Sequence, residues 1–485
     1  MTQPAVIITE LDGALGVLPP SAGRLLAVVG TSSAGALNTP ATYARVQDLV
    51  AAFGVGPLVE AAAYHIDVSG KPVLVVRADA GSGPAYAGAV GAVESTGLGG
   101  TSVVTTTLPT PTDDLEVVLR VVDEGTIGAA GITVQLSYDG GRTYAPKVAL
   151  GTANTLLVAN AFTFNFAAGT LKAGATYRVR TTAPRADSTT LADALDALRA
   201  SVVQWELLEL ADAMDADTFD AVELAMVALF SAGKYRGWVG NTRMPDDDEE
   251  EADYLDDLSS VFVDSASVFG SLYAGACRLT SAVNGRKYRR PVSFATASRE
   301  QMSSEEIDIA DINLGALTSV SIRDANGNPE EHDESVNPGL DDARFAVLRT
   351  WDGYAGVYVN RPRLFSTEGS DFQLMPHRRV LNLAHAALRQ YFIRRLNKPI
   401  RVDATSGFIL EIEALEIEAG ATAAMSTALL AKPKASGVQF VLSRTDNVLS
   451  SKTLTGTARV IPLAYPEYVN LTVGFFNPAL VVQAA

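Results

Sequence analysis

Apolar positions in this chain group into short runs and helical stripes. Arg24-Leu25-Leu26-Ala27-Val28-Val29-Gly30 is a nearly continuous apolar run of the kind found in a strand covered on both faces, and a small Gly-rich loop follows it. Thr42 is placed to cap a helix running through Val46, Leu49 and Val50 to Phe53-Gly54, where glycine can end it. A second helix from Gly56 to His65 and a strand Pro72-Val73-Leu74-Val75-Val76-Arg77 complete a β-α-α-β unit. Ahead of that unit, Ala5-Val6-Ile7-Ile8-Thr9 is a short β-prone run cut off by Pro19-Pro20, so it reads as an arm.

From about residue 86 to 187 the pattern becomes rich in Gly, Thr and Val without a helical period. Strands are predicted at Leu115 to Val122, Ile132 to Tyr138, Phe162 to Phe166 and Tyr177 to Thr182, with turns at Asp139-Gly140-Gly141 and Ala173-Gly174. That spacing predicts a small inserted β-sandwich or barrel facing solvent. Helical periodicity returns at Thr189, the expected cap of a helix burying Leu191, Ala194, Leu195 and Leu198. Strands Trp205 to Leu210 and Tyr235 to Gly240 bracket a helix from Asp217 to Ser231. Met302-Ser303-Ser304-Glu305-Glu306 reads as a helix start, and the Asn-, Asp- and Gly-rich stretch Asn326 to Asp342 reads as an exposed loop at a domain boundary. Beyond it come strands Phe345 to Trp351 and Tyr354 to Asn360. A long helix from His377 to about Pro399 follows, with an apolar stripe through Val380, Leu381, Ala384, Leu388, Tyr391 and Phe392. A helix Phe408 to Ala419, strands Val438 to Leu442 and Thr455 to Pro462, and an alternating terminal segment Glu467 to Phe475 close the pattern.

Composition narrows the function. The 485 residues carry a net charge of −17, a poor basis for gripping phosphate backbones, although Arg286-Lys287-Tyr288-Arg289-Arg290 is a local basic cluster. The run Pro245-Asp246-Asp247-Asp248-Glu249-Glu250-Glu251 lacks the spacing and central glycine of a calcium loop and reads as a solvated loop and first helical turn. The single cysteine, Cys277, lies in an apolar context read as helical and cannot form an intrachain disulfide, so cytosolic synthesis is the simplest expectation. No signal peptide is evident, and no run approaches the roughly 18 uninterrupted apolar residues of a membrane span. The four histidines, His65, His332, His377 and His385, sit in no catalytic or metal motif. Gly30-Thr31-Ser32-Ser33-Ala34-Gly35 lacks both the Gly-Lys-Ser/Thr ending of a Walker loop and the glycine spacing of a dinucleotide fingerprint. No enzyme activity, cofactor or metal is expected.

Two blocks resemble the sheath proteins of contractile phage tails and related injection machines. The first is Leu26-Ala27-Val28-Val29-Gly30, the loop ending at Pro40, Phe53-Gly54, Ala61-Ala62-Ala63-Tyr64 and Val73 to Arg77. The second is Gly353-Tyr354-Ala355-Gly356-Val357-Tyr358-Val359-Asn360-Arg361-Pro362 with Arg378-Arg379-Val380 opening the long helix. Where the family often has an aromatic-Gly-Asn/Ala-Arg-Thr pattern, this chain departs with Val359-Asn360-Arg361-Pro362.

The resemblance implies a mixed α/β and α+β multidomain fold. An N-terminal arm would span 1–20, the sheath core 21–95 and 187–342, an inserted β domain 96–186, a C-terminal core domain 343–466 and a C-terminal arm 467–485. It implies self-assembly into stacked hexameric rings and a helical polymer around an inner tail tube, with baseplate and tail terminator proteins as further partners. Contraction would be a rigid rearrangement of subunits driving the tube through a target envelope, with no direct nucleic-acid contact and no membrane insertion. The protein would be made in a bacterial cytoplasm and reside in a virion tail or contractile particle. Val6, Ile7, Ile8 and Thr9 would form one intersubunit strand and Val469, Leu471, Val473 and Phe475 the other. Arg378, Arg379, Arg389, Arg394 and Arg395 would face the inner tube. Two other readings fit the same residues: a non-contractile tail-tube or baseplate component, and a surface-binding module using Tyr138, Tyr144 and Tyr177 of the β domain.

Overall fold

A computed structural model describes residues 25–96, 100–246, 249–324 and 326–475. The N-terminal candidates Val6, Ile7, Ile8 and Thr9 lie outside these residues.

The apolar run after Arg24 becomes the strand Leu26–Gly30, buried throughout, inside a six-stranded sheet. The order across the sheet is Gly270–Tyr273, Gly237–Asn241, Leu207–Ala213, Leu26–Gly30, Val73–Arg77 and Ala41–Tyr43. All neighbours are parallel except the last pair. Parallel neighbours need crossovers, and the crossover helices cover both faces, so the strands carry no polar alternation. Leu26, Val28, Val73, Val75 and Leu207 pack against the helices Pro57–Ser69 and Ser293–Met302. Ala27, Val29, Leu74, Leu208 and Leu210 pack against Ser188–Ala200, Ala216–Ser231 and Glu251–Val261.

Several local expectations change for identifiable reasons. Thr42 caps no helix: it lies in the edge strand Ala41–Tyr43, paired with Leu74, and the helix Val46–Phe53 follows and ends at Gly54 with φ 73°. Asp187, not Thr189, caps the helix Ser188–Ala200, its carboxylate accepting from the amides of Thr189 and Thr190 while the Thr190 hydroxyl donates back toward it. The expected helix start at 302–306 is instead a helix end: Met302 closes the helix Ser293–Met302, which is buried along most of its length and so has no amphipathic stripe to read, and 303–306 follow it. Cys277 sits in the strand Ala276–Thr280, not in a helix.

The β-rich segment forms open antiparallel sheets with a core of their own, including Val117, Leu119, Val134, Phe162, Phe164 and Val179. The strand Lys287–Pro291 and the residue before it join it to the rest, and alternation explains how. Arg286 lies over the Tyr138 ring at 5.1 Å, Tyr288 enters the β core, and Arg290 donates to Asp113 at 2.8 Å and to the Asp114 carbonyl at 2.7 Å. Between them Arg289 points elsewhere, to Glu331 at 2.9 Å. Arg278 completes the junction with the buried Glu116, which also receives Arg180 at 3.0 Å. Burial would raise the Glu116 pKa, but Arg278 and the neighbouring arginines hold it down to about 2.

Of the stretch Asn326 to Asp342, residues 326–329 and 335–338 are exposed as expected, but Glu331 to Glu334 are buried. Asp333 accepts from Thr350 and Ser335, and His332 sits between Glu251 at 2.7 Å and Glu334 at 2.9 Å, so these buried polar residues are satisfied inside the molecule. The chain divides at Pro399/Ile400 into two compact units. The second contains the helix Glu411–Leu429 and the antiparallel pair Gly437–Leu442 with Gly456–Ile461. That helix outruns its expected end at Ala419 and buries Ala414, Ile417, Ala421, Met425 and Leu429.

Glu209 is fully buried in the middle of the large sheet, and neither carboxylate oxygen has a hydrogen-bond partner. Burial raises its pKa well above 4.5, so the folded state holds this proton more tightly than the unfolded chain does. Stability is therefore greatest below the unfolded pKa and falls as pH rises through the folded one. Urea titrations from about pH 5 to about pH 9 should show this decline, Glu209→Gln should flatten it, and Glu209→Met should add about 1–3 kcal/mol at the alkaline end.

Candidate assembly surfaces

The terminal segment Tyr468 to Phe475 has no regular structure, and its apolar residues stand in solvent: Val469 is 69%, Leu471 80% and Val473 91% exposed. They alternate with Asn470, Thr472 and Gly474, so in extended form they would line one face. Burying each such side chain would contribute about 1.5–3 kcal/mol.

An open strand edge lies in the same unit. In the pair Gly437–Leu442 with Gly456–Ile461, the amides of Phe440 and Leu442 turn away from the partner strand. The Thr422 hydroxyl receives the first at 3.3 Å and the Glu418 carboxylate the second at 2.7 Å. One edge of the hairpin is thus closed by its own helix. The opposite edge, along Gly456–Ile461, is exposed at all but one residue. Because Phe440 faces Ala458 across a pair without mutual hydrogen bonds, the Ala458 amide points out from that free edge. Unpaired edges of this kind are templates for an added strand.

The five arginines separate into two groups. Arg378 and Arg379 are buried at the start of the helix Met375–Ile393, so they cannot form the expected tube-facing surface. Arg379 pairs with Glu206 at 3.1 Å and Glu300 at 3.2 Å and donates to the Glu300 and Ser303 carbonyls. Burial pushes the Glu300 carboxyl up to about 7 despite that guanidinium. Arg378 makes no ion pair among the described residues, although the Glu223 carboxylate acts on it from a distance: it lies among the rings of Phe230, Phe269 and Phe372 at 5.4, 4.7 and 5.9 Å, donates from Nε to Asn382, and leaves one terminal nitrogen without a partner among the described residues. Burial lowers its pKa to about 10. The partners of Arg379 are 173 and 79 positions away, so no local pattern shows which helical arginine is buried. Arg389 and Arg394 are exposed, and Arg395 rests over Tyr391 at 5.2 Å.

Other candidate chemistry is internal to the fold. At the crevice where crossovers diverge from the central strand, the Asp212 carboxylate accepts from the Thr31 amide at 2.9 Å, the Thr31 hydroxyl at 3.1 Å and the Ala186 amide at 3.1 Å. An internal anion occupies donors of the kind a phosphate would use in such a crevice. Of the three tyrosines, Tyr138 has one ring face under Arg286 at 5.1 Å, Tyr144 has one under Arg120 at 4.0 Å, and Tyr177 is buried. In the acidic run, Glu249 pairs with Arg243 at 2.6 Å. Burial pushes the Cys277 thiol up to about 12 and holds His65 down to about 4. Among the described residues no group of three or more His, Cys, Asp and Glu could hold a metal ion, and no helix is long and apolar enough to cross a membrane.

Residues 3–271 match the family described as DUF2586, N-terminal domain. No curated protein matches the sequence. Among solved structures, a chain of the PVC sheath complex, an extracellular contractile injection system in its contracted state, superposes with a TM-score of 0.52 at 10% identity, covering 98% of both chains. A chain of the anti-feeding prophage baseplate gives 0.51 at 11% identity, covering 98% of this chain and 100% of that one. The sheath tail protein Lin1278 from Listeria innocua gives 0.45 at 14% identity, covering 92% and 96%. The fold common to the first two chains extends over nearly the whole of this one.

The adjacent arginines provide a test of burial against pairing. Arg379→Met strands Glu206 and Glu300 and should lower unfolding free energy by about 3–5 kcal/mol in denaturant titrations. Arg378→Met removes a buried cation that makes no ion pair among the described residues and should leave stability unchanged or raise it.

Proposed function

We propose that this chain, which belongs to the DUF2586 family and has the tail-sheath fold, is the structural subunit of a contractile sheath. Copies polymerise as stacked six-membered rings around an inner tail tube, held at the ends by baseplate and terminator proteins. The polymer shortens by rearrangement of nearly rigid subunits and drives the tube through a target envelope. Synthesis occurs in a bacterial cytoplasm, and the product resides in a phage tail or related particle.

The observation that carries this reading is the presence in one unit of an exposed alternating segment, Val469 to Phe475, and an exposed strand edge, Gly456–Ile461, neither with a strand partner on that side among the described residues. Each supplies what the other lacks, and between copies the segment becomes a third strand of its neighbour's hairpin. Backbone hydrogen bonds then provide affinity and the apolar face provides register. Val6 to Thr9 have a β-prone composition suited to a second connection of the same kind. A mesh of exchanged strands permits subunits to change position without separating, and the driving free energy resides in contacts unmade in the longer state. A nucleotide site is then unnecessary. The ion-paired junction of the β segment supports movement of the first unit as one body.

Purified full-length protein should form long hollow striated tubes under the electron microscope. Truncation after Glu467 and Ala458→Pro should each leave a folded monomer that forms no long tubes, since proline removes the outward amide at an edge position a strand tolerates. Normal tubes from both variants would sink the strand-exchange reading. Failure of the wild-type chain to form tubes or rings at any salt concentration would sink the sheath reading itself.

A further inference from the structure

The helices Ser188–Ala200, Ala216–Ser231 and Glu251–Val261 cover one face of the large sheet, and their ends differ in charge. Asp217, Asp220, Glu250, Asp253 and Asp256 are exposed in or beside the first halves of the latter two helices and make no ion pair among the described residues. The Arg185–Asp215 and Arg243–Glu249 pairs nearby leave these carboxylates uncompensated. At the other end the Lys234 ammonium donates to the Arg199 carbonyl at 2.7 Å, tying together the C-terminal ends of two helices. Arg389 packs directly against Gly233 there, where an added Cβ would lie 2.0 Å from its Nε. Arg389, Arg394 and Lys398 are exposed and make no ion pair among the described residues, while Arg199 meets Asp196 at 3.0 Å. The sixteen residues of Ala216–Ser231 separate the two ends by about 24 Å.

A second observation marks the basic end as a contact surface. Val202, Ile393 and Leu396 are 88%, 49% and 69% exposed beside Arg199, Arg389 and Arg394, so large apolar side chains and exposed cations share the same end. A charged rim around exposed apolar residues is the composition of an interface.

We propose that the acidic end of one copy docks onto the basic end of a second copy, Asp217, Asp220, Asp253 and Asp256 meeting Arg199, Arg389, Arg394 and Lys398. The two ends of one subunit face away from each other, so neither can satisfy the other within the chain. A contact between different patches is head-to-tail, and repetition produces a ring or an open helix, whereas a self-complementary patch stops at a dimer. The inference rests on the sheath reading for its biological setting. It reassigns the exposed arginines from the inner tube to the neighbouring subunit. Because the pairs stay at the rim, they should speed and orient encounter more than they tighten the final contact, and salt should weaken them.

The test uses two full-length variants: Asp217→Lys with Asp220→Lys, which removes most of the charge of the acidic end, and Arg389→Glu with Arg394→Glu, which removes most of the positive charge of the basic end. All four positions are exposed, and thermal melts should confirm unchanged folding. Analytical ultracentrifugation of fluorescently labelled protein at about 50 and about 500 mM NaCl reads association between copies, whether or not tubes form. Self-association of each variant should fall on the order of tenfold at low salt, while an equimolar mixture should recover it, with the advantage lost at high salt. Wild-type self-association in both variants, or a mixture that associates no better than its components, overturns the proposal. Absence of tubes from wild type counts against the sheath reading, and pairing of the two variants still decides this one.

Discussion

Covering both faces of one parallel sheet is the constraint on which the rest of the first unit depends. Each parallel neighbour requires a crossover, and the crossover helices return against the strand direction, so their N-termini collect at one end of the sheet and their C-termini at the other. Carboxylates favour the first location and cations the second because of the helix dipole. Asp187 and Asp215 cap helices at one end, and Arg199 and Lys234 lie at the other. The separation of charge across the subunit therefore follows from sheet topology. The same topology opens a crevice beside Leu26–Gly30, and Asp212 fills it with an internal anion.

Buried charge does two kinds of work in this molecule. Arg278, Arg290 and Arg379 each have carboxylate partners distant in sequence, and these pairs fasten segments that few apolar contacts would join. Removing one partner would leave an uncompensated charge, so such junctions resist gradual loosening and favour motion as a single body. Glu209 and Arg378 are the opposite case, buried with no ion pair among the described residues. Burial favours the neutral form of the first, and aromatic faces accommodate the second.

The second unit concentrates unsatisfied backbone and apolar surface. Its helix closes one hairpin edge through Thr422 and Glu418 and leaves the other along Gly456–Ile461. A short hairpin with one edge blocked can add strands in one direction only, which limits the geometries in which copies can connect.

Much of the architecture was legible from the order of residues alone. The run Leu26 to Gly30 and the stripe Leu191, Ala194, Leu195 and Leu198 state their local geometry through periodicity. The order of elements was sufficient to suggest a mixed α/β fold, because fold class follows from how such periods succeed one another, and the sheath type came from the resemblance of two residue blocks to that family. What periodicity cannot express is which distant partner a charged residue meets. Arg378, Arg379, Arg389 and Arg394 look alike on one helix, yet two are buried and two are exposed. The basic cluster at Arg286 to Arg290 became a junction because its even-numbered residues meet Tyr138, the β core and Asp113. Local hydrogen bonding and hydrophobic period were determined by the sequence itself. The burial and pairing of charges were decided only by tertiary structure, since the energy of an ion depends on surroundings brought together from across the chain.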